Sequence, residues 1–113
     1  MDPGPLLATT HDAGGLKVRL RLARPSDVVR VRAFLERRRP ALAADASRFT
    51  FYDPRRRVAL AATAPVDGSE RIVGLVDFGV HERSRLVLAD HREVAELLTA
   101  AARWLAARVR DAA

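Results

Sequence analysis

Polar and apolar positions change their period several times along the chain, and each change marks an element. From Lys17 the apolar residues Val18, Leu20 and Leu22 alternate with Arg19 and Arg21, the period of two that a strand with one buried and one wetted face requires. Arg24-Pro25-Ser26-Asp27 interrupts the alternation: Pro25 ends the strand, and Ser26 is placed to cap a helix whose apolar stripe is Val28, Val31, Phe34 and Leu35. This helix is expected to stop near Arg38, ahead of Pro40. Residues 41–47 are alanine-rich and predict a short second helix, after which residues 48–54 turn to aromatic and turn-forming side chains.

Residues 58–63 read as a second strand, residues 64–69 supply turn chemistry, and residues 71–81 return as a third strand of the same hairpin. Arg85–Ala89 is a short apolar run and reads as the fourth strand. A long helix is predicted from Asp90, with Glu93 three residues on completing a capping box. Its buried stripe is Val94, Leu97, Leu98, Ala101, Leu105 and Val109, with Trp104 at the margin. The predicted order, strand, helix, optional helix, three strands and helix, is an α/β fold with a mainly antiparallel sheet between helices. Residues 1–15, with two prolines, three glycines and no periodicity, are expected to be a flexible arm ahead of one domain spanning residues 16–113.

Composition narrows the chemistry. The chain contains no cysteine, so disulfides, thiolate zinc sites and cysteine nucleophiles are excluded. No apolar run approaches the roughly 18 residues of a membrane span, and the start carries acids where a signal peptide carries bases. A cytoplasmic protein with no membrane partner is expected. The formal net charge is +6, and nineteen of the twenty basic residues are arginine, which keeps its charge and offers a planar fork of donors to phosphate or carboxylate. The abundance of arginine beside alanine equally suits a GC-rich coding bias. Three histidines, His11, His81 and His91, include no pair at the helical spacing that metal binding favours, and no metal site is expected.

Several phrases resemble the GNAT superfamily of N-acetyltransferases. The opening VRLRLARPSDVVRVRAFLERR is similar to that family's first strand and helix, and RVALAATAPVDGSERIVGLVDFGV to its second and third strands. The middle phrase RFTFYDPRRRVALAA resembles bacterial acetyltransferases of the protein-lysine-acetylating kind. The resemblance runs from Lys17 to about Val109 and implies an acetyl-CoA-dependent enzyme whose glycine loop seats the cofactor's pyrophosphate at a helix start. In this chain the equivalent residues 88–95 hold no glycine, and the expected cap Asp90 and first-turn Glu93 bring two carboxylates to the end an anion needs. By the resemblance, any cofactor contact falls on the backbone of His91, Arg92, Glu93 and Val94, and the catalytic base on Glu82, the only candidate in the stretch Glu82-Arg83-Ser84-Arg85 that enters the fourth strand. The family's later strands and its acid tyrosine have no counterpart after residue 109, and the single tyrosine, Tyr52, lies upstream.

The leading expectation is therefore a GNAT-like half domain that has lost acetyl transfer, needs no cofactor, and works as a binding or assembly module. Its partner, a second copy or a dedicated protein, would dock on the edge strand Arg85–Ala89. The first alternative is an acetyltransferase using acetyl-CoA, completed by a dimer mate or a second-half partner. The second is an arginine-rich nucleic-acid binder built on residues 37–39 and 55–57 flanking Phe49, Phe51 and Tyr52, which is less favoured because arginines bordering turns are usually solvated.

Overall fold

The computed structural model describes residues 7, 10–81 and 85–112. Five antiparallel strands lie in chain order: β1 (Thr10–Ala13), β2 (Leu16–Leu22), β3 (Arg57–Val66), β4 (Ser69–Gly79) and β5 (Arg85–Ala89). A 3-10 turn, Pro25–Asp27, leads into α1 (Val28–Arg38), a 3-10 segment follows at Pro40–Phe49, and α2 (Arg92–Ala112) closes the series. The coarse expectation of a mainly antiparallel sheet with helices holds.

Thr10–Ala13 belong to the stretch expected to be an arm, yet they pair with β2 from Thr10↔Arg19 to Ala13↔Leu16. Gly14 and Gly15 make this possible: both take positive φ, 59° and 80°, and close a two-residue turn matched to strand twist. The β3–β4 turn is likewise only Asp67-Gly68, at φ 50° and 81°, so β3 runs longer than the sequence predicts and β4 both starts and ends two residues earlier. Pro65 sits inside β3 and has no N–H, and β2 and β3 pair only as far as Arg19↔Thr63.

The sheet is covered on both faces. Val31, Phe34, Leu35 and Phe49 of α1 and the 3-10 segment pack on Ala61, Ile72 and Leu75. On the other face Val94, Leu98, Ala102 and Ala106 of α2 meet Leu20, Leu60, Ala62, Val76 and Phe78. The central strands β3 and β4 are thus buried on both sides, which explains their nearly unbroken apolar runs. The side chains of α2 turned to the sheet include Ala102 and Ala106, while Leu97, Leu105 and Val109 lie half-buried at its flanks. Small alanines let the helix come close, so the buried stripe is rotated from the one the leucines suggest.

A bulge in β4 sharpens this contact. Ala62 pairs with Gly74 and Thr63 with Ile72, which leaves Val73 without a partner on β3. Gly74 lies directly beneath α2, where an added Cβ would come within 2.7 Å of both Val94 and Leu98. Asp27 stands at the other structural joint. Its carboxylate, not the expected Ser26 hydroxyl, organises the entry to α1 by accepting the Arg24 N–H at 2.7 Å and two Arg21 bonds at 2.6 Å each. The short 3-10 turn at Pro25–Asp27 places Ser26 outside the cap position.

Candidate functional site

β5 is an edge strand: it pairs with β4 from Gly74↔Ala89 to Phe78↔Arg85, and no other described strand joins it. The Asp90 N–H donates to Val73 O at 2.9 Å, which extends this ladder and sets its phase. By the alternation of a strand, Leu86 and Leu88 turn their peptide groups to β4, while Arg85, Val87 and Ala89 turn theirs outward. The side chains divide as well: Leu86 and Leu88 pack with the α1 layer, Val87 and Ala89 with the α2 layer. Among the described residues nothing pairs with these outward donors and acceptors, and their row runs between two apolar flanks. The opposite edge, β1, is Thr-His-Asp-Ala, and its Asp12 is salt-bridged to Lys17 at 2.8 Å. A charged edge of this kind resists pairing, whereas β5 carries no charge from Leu86 to Ala89.

At the end of β5 the chain enters α2, and here the expected capping box is not what forms. Asp90 turns its carboxylate to α1, where Arg37 Nη2 donates at 2.8 Å, Arg37 Nε at 3.4 Å, and Arg38 Nε stands 3.6 Å away. Two arginines outcompete the helix amides because charge-assisted bonds from a guanidinium are stronger than neutral ones. The first intrahelical bond then runs from Ala95 N–H to His91 O at 3.1 Å. The amides of Arg92, Glu93 and Val94 remain as first-turn donors without an intrahelical acceptor. His91, Arg92 and Glu93 are exposed and Val94 is buried, and the His91 ring lies against Gly14, within 2.7 Å of where a Cβ there would sit. Tested as a seat for a diphosphate, this helix start has suitable amides, but Glu93 keeps an opposing charge in the first turn and no glycine lets a ligand approach the backbone closely.

Glu82, the candidate base, lies outside the described residues, and neighbouring His81 is exposed. The acid that sequence reasoning overlooks is Asp77, buried in the middle of β4 opposite Ala59 on β3 and Leu86 on β5. Arg57 donates to it through Nη2 at 2.8 Å and Nε at 3.3 Å, and Arg48 through Nη2 at 3.4 Å. A lone acid within the apolar run Val73 to Phe78 is the signal that could have found it, since such a group must meet a cation. The two arginine runs are largely engaged. Arg37 and Arg38 hold Asp90, Arg55 holds Asp53 at 3.1 Å, and Arg57 holds Asp77, which leaves less free charge for a polyanion than the sequence implies. Phe49 is buried rather than offered for stacking, while Phe51 is exposed and the Tyr52 hydroxyl donates to Ala23 O at 2.9 Å. Among the described residues no three His, Asp or Glu side chains gather as a metal site, and no described helix is long and apolar enough to cross a membrane. No family model, curated protein or solved structure matches the chain.

Proposed function

We propose that this domain is a GNAT-like assembly module that acts through contact rather than acetyl transfer, and that its working surface is the β5 edge, paired with β5 of a second copy. The order of strands and helices, with helices on both sides of an antiparallel meander, is compatible with the GNAT resemblance. The observation that carries the reading is the exposed, apolar-flanked row of peptide groups at Arg85, Val87 and Ala89.

A second copy suits this edge by its own sequence. Antiparallel pairing centred on Val87 would set Leu86 against Leu88 and Arg85 against Ala89 on either side of a two-fold axis. Leucine would continue the apolar row across the junction, and no like charges would be opposed. The test is Val87→Pro, which removes an outward N–H and leaves the ladder to β4 intact. Sedimentation velocity on the native chain is expected to show a dimer at micromolar concentration, and the variant a folded monomer with unchanged far-ultraviolet circular dichroism. Leu88→Pro, whose N–H faces β4, is expected to unfold and serves as the contrast. A native chain that stays monomeric at high micromolar concentration would overturn the reading.

One observation favours a second reading, an acetyl-CoA-dependent transferase completed by a dimer mate or second-half partner. Asp90 is drawn away by Arg37 and Arg38, so the amides of Arg92 to Val94 carry one opposing carboxylate, Glu93, rather than two. Acetyl-CoA, when bound, supplies the acyl group, and this chain's contribution would be those amides. Calorimetric titration separates the readings: heat with micromolar affinity and a raised melting temperature support the enzyme, and silence at millimolar acetyl-CoA supports the module.

A further inference from the structure

We infer that the groove between β2 and the β3–β4 hairpin is a binding site for a small free amino acid with an aliphatic side chain. Its origin is Pro65. A proline cannot donate across to β2, so the β2–β3 ladder ends at Arg19↔Thr63 and the strand ends part beyond it. The opening is a groove of about 360 Å³ lined by Lys17, Arg19, Thr63, Ala64, Pro65 and Glu70, among others. That is at the small end of ordinary ligand pockets and suits a metabolite rather than a nucleotide.

The lining has three chemical parts. Lys17 and Arg19 are alternate residues of β2 and point to the same face, about 6.6 Å apart along the strand. Among the described residues Arg19 has no ion-pair partner, and Lys17 is held only by Asp12 in a salt bridge whose side chains are 69% and 76% exposed, a contact of little strength. These two cations, with the Thr10 and Ser69 hydroxyls nearby, can take a carboxylate. Across Pro65 stands Glu70, half-exposed and touched by Arg21 at 3.3 Å, while Arg21 is chiefly committed to Asp27 at 2.6 Å. Glu70 can accept the ammonium. Pro65, between the two charged walls, gives the aliphatic frame an apolar floor. A simple oxyanion would leave Glu70 repelling it, and a simple amine would meet two cations. A molecule with both charges satisfies both walls.

The test is titration of the uniformly ¹⁵N-labelled full chain with L-leucine and L-alanine, followed by amide shifts. The expected result is saturable perturbation at Thr63, Gly68, Ser69 and Glu70 with a Kd on the order of 0.1–1 mM, appropriate to a ligand of so few atoms. N-acetyl-L-leucine and L-leucinamide, each lacking one charge, are expected to bind about tenfold more weakly or worse. Arg19→Ala and Glu70→Gln, both at exposed positions, are expected to lose the same affinity with unchanged melting temperature, and Arg56→Ala, outside the groove, to retain it. Inorganic phosphate or acetate binding as tightly as L-leucine would replace the inference with a general oxyanion site. Absence of any groove shift at about 10 mM free amino acid would overturn it.

Discussion

Removing the Asp27 carboxylate tests how the sheet is joined to α1. Asp27 is fully buried, receives both terminal nitrogens of Arg21 at 2.6 Å, and also accepts the Arg24 N–H at 2.7 Å. Asp27→Ala deletes all three bonds, but Arg21 retains partial solvent contact and Glu70 at 3.3 Å. The full 3–5 kcal/mol of a broken buried pair is therefore reduced, and a loss of about 2–3 kcal/mol is expected. At this size each kcal/mol moves the midpoint by roughly 4–8 °C, so melting should fall by about 10 °C or more.

Urea titration at pH 7 gives the loss directly, with an unchanged slope if the denatured state is unaffected. Arg21→Ala is the informative companion, because it leaves a buried carboxylate with only a backbone donor. The coupling from Asp27→Ala, Arg21→Ala and the double variant should exceed about 1 kcal/mol. The pH dependence supplies a second readout. Arg21's hydrogen bonds hold the Asp27 carboxyl below its ordinary range, so its contribution is complete above the unfolded pKa near 3.9 and is lost as pH falls through the lower folded value. Acid titration should therefore destabilise the native chain more steeply than Asp27→Ala. Additive single variants, or identical acid profiles, would refute the reasoning.

Gly74→Ala should cost about 1–3 kcal/mol, measured by urea denaturation, because the new Cβ would stand 2.7 Å from Val94 and Leu98, both fully buried. Tyr52→Phe removes the bond to Ala23 O at 2.9 Å and should cost about 1 kcal/mol. Burial raises the Tyr52 pKa, so the native chain should lose stability as pH rises above about 10, and melting curves of Tyr52→Phe should show a smaller alkaline loss.

What was legible in the sequence is what local periodicity encodes. Alternation of Val18 and Leu20 with Arg19 and Arg21 exposes β2, the spacing of Val31, Phe34 and Leu35 exposes α1, and the run from Val58 reads as a strand, whose burial on both faces only the fold supplies. β1 is hidden because Thr-His-Asp-Ala carries no apolar alternation, and its pairing depends on two glycines that look like linker. The partners of Asp90 and Asp77 are hidden for a different reason. Arg37 lies 53 residues from Asp90, and Arg57 lies 20 from Asp77, so only the folded sheet brings those charges together. A short-range rule therefore assigns Asp90 to the helix beside it. The β5 edge sits between these cases: its apolar run can be read directly, whereas the phase of its peptide groups follows from one bond, Asp90 N–H to Val73 O.

Under the proposed pairing, that same Asp90 links the stiffness of the edge to association. β5 has only five residues, and beyond its ladder to β4 it is held by burial of Leu88 and by the grip of Arg37 and Arg38 on Asp90. An edge held in strand geometry before association loses less conformational freedom on pairing than one that must order as it pairs. Asp90→Ala separates these effects, because it leaves every peptide group of β5 in place and frees only the clamp. Since the three side chains are partly exposed, its effect on global stability should be about 1 kcal/mol or less. Hydrogen exchange should nevertheless accelerate at Leu88 and Asp90, whose N–H groups face β4, and dimer affinity measured by sedimentation should fall several-fold. If exchange at those two amides rises while association is untouched, the clamp serves only the monomer and the edge does not depend on being preformed.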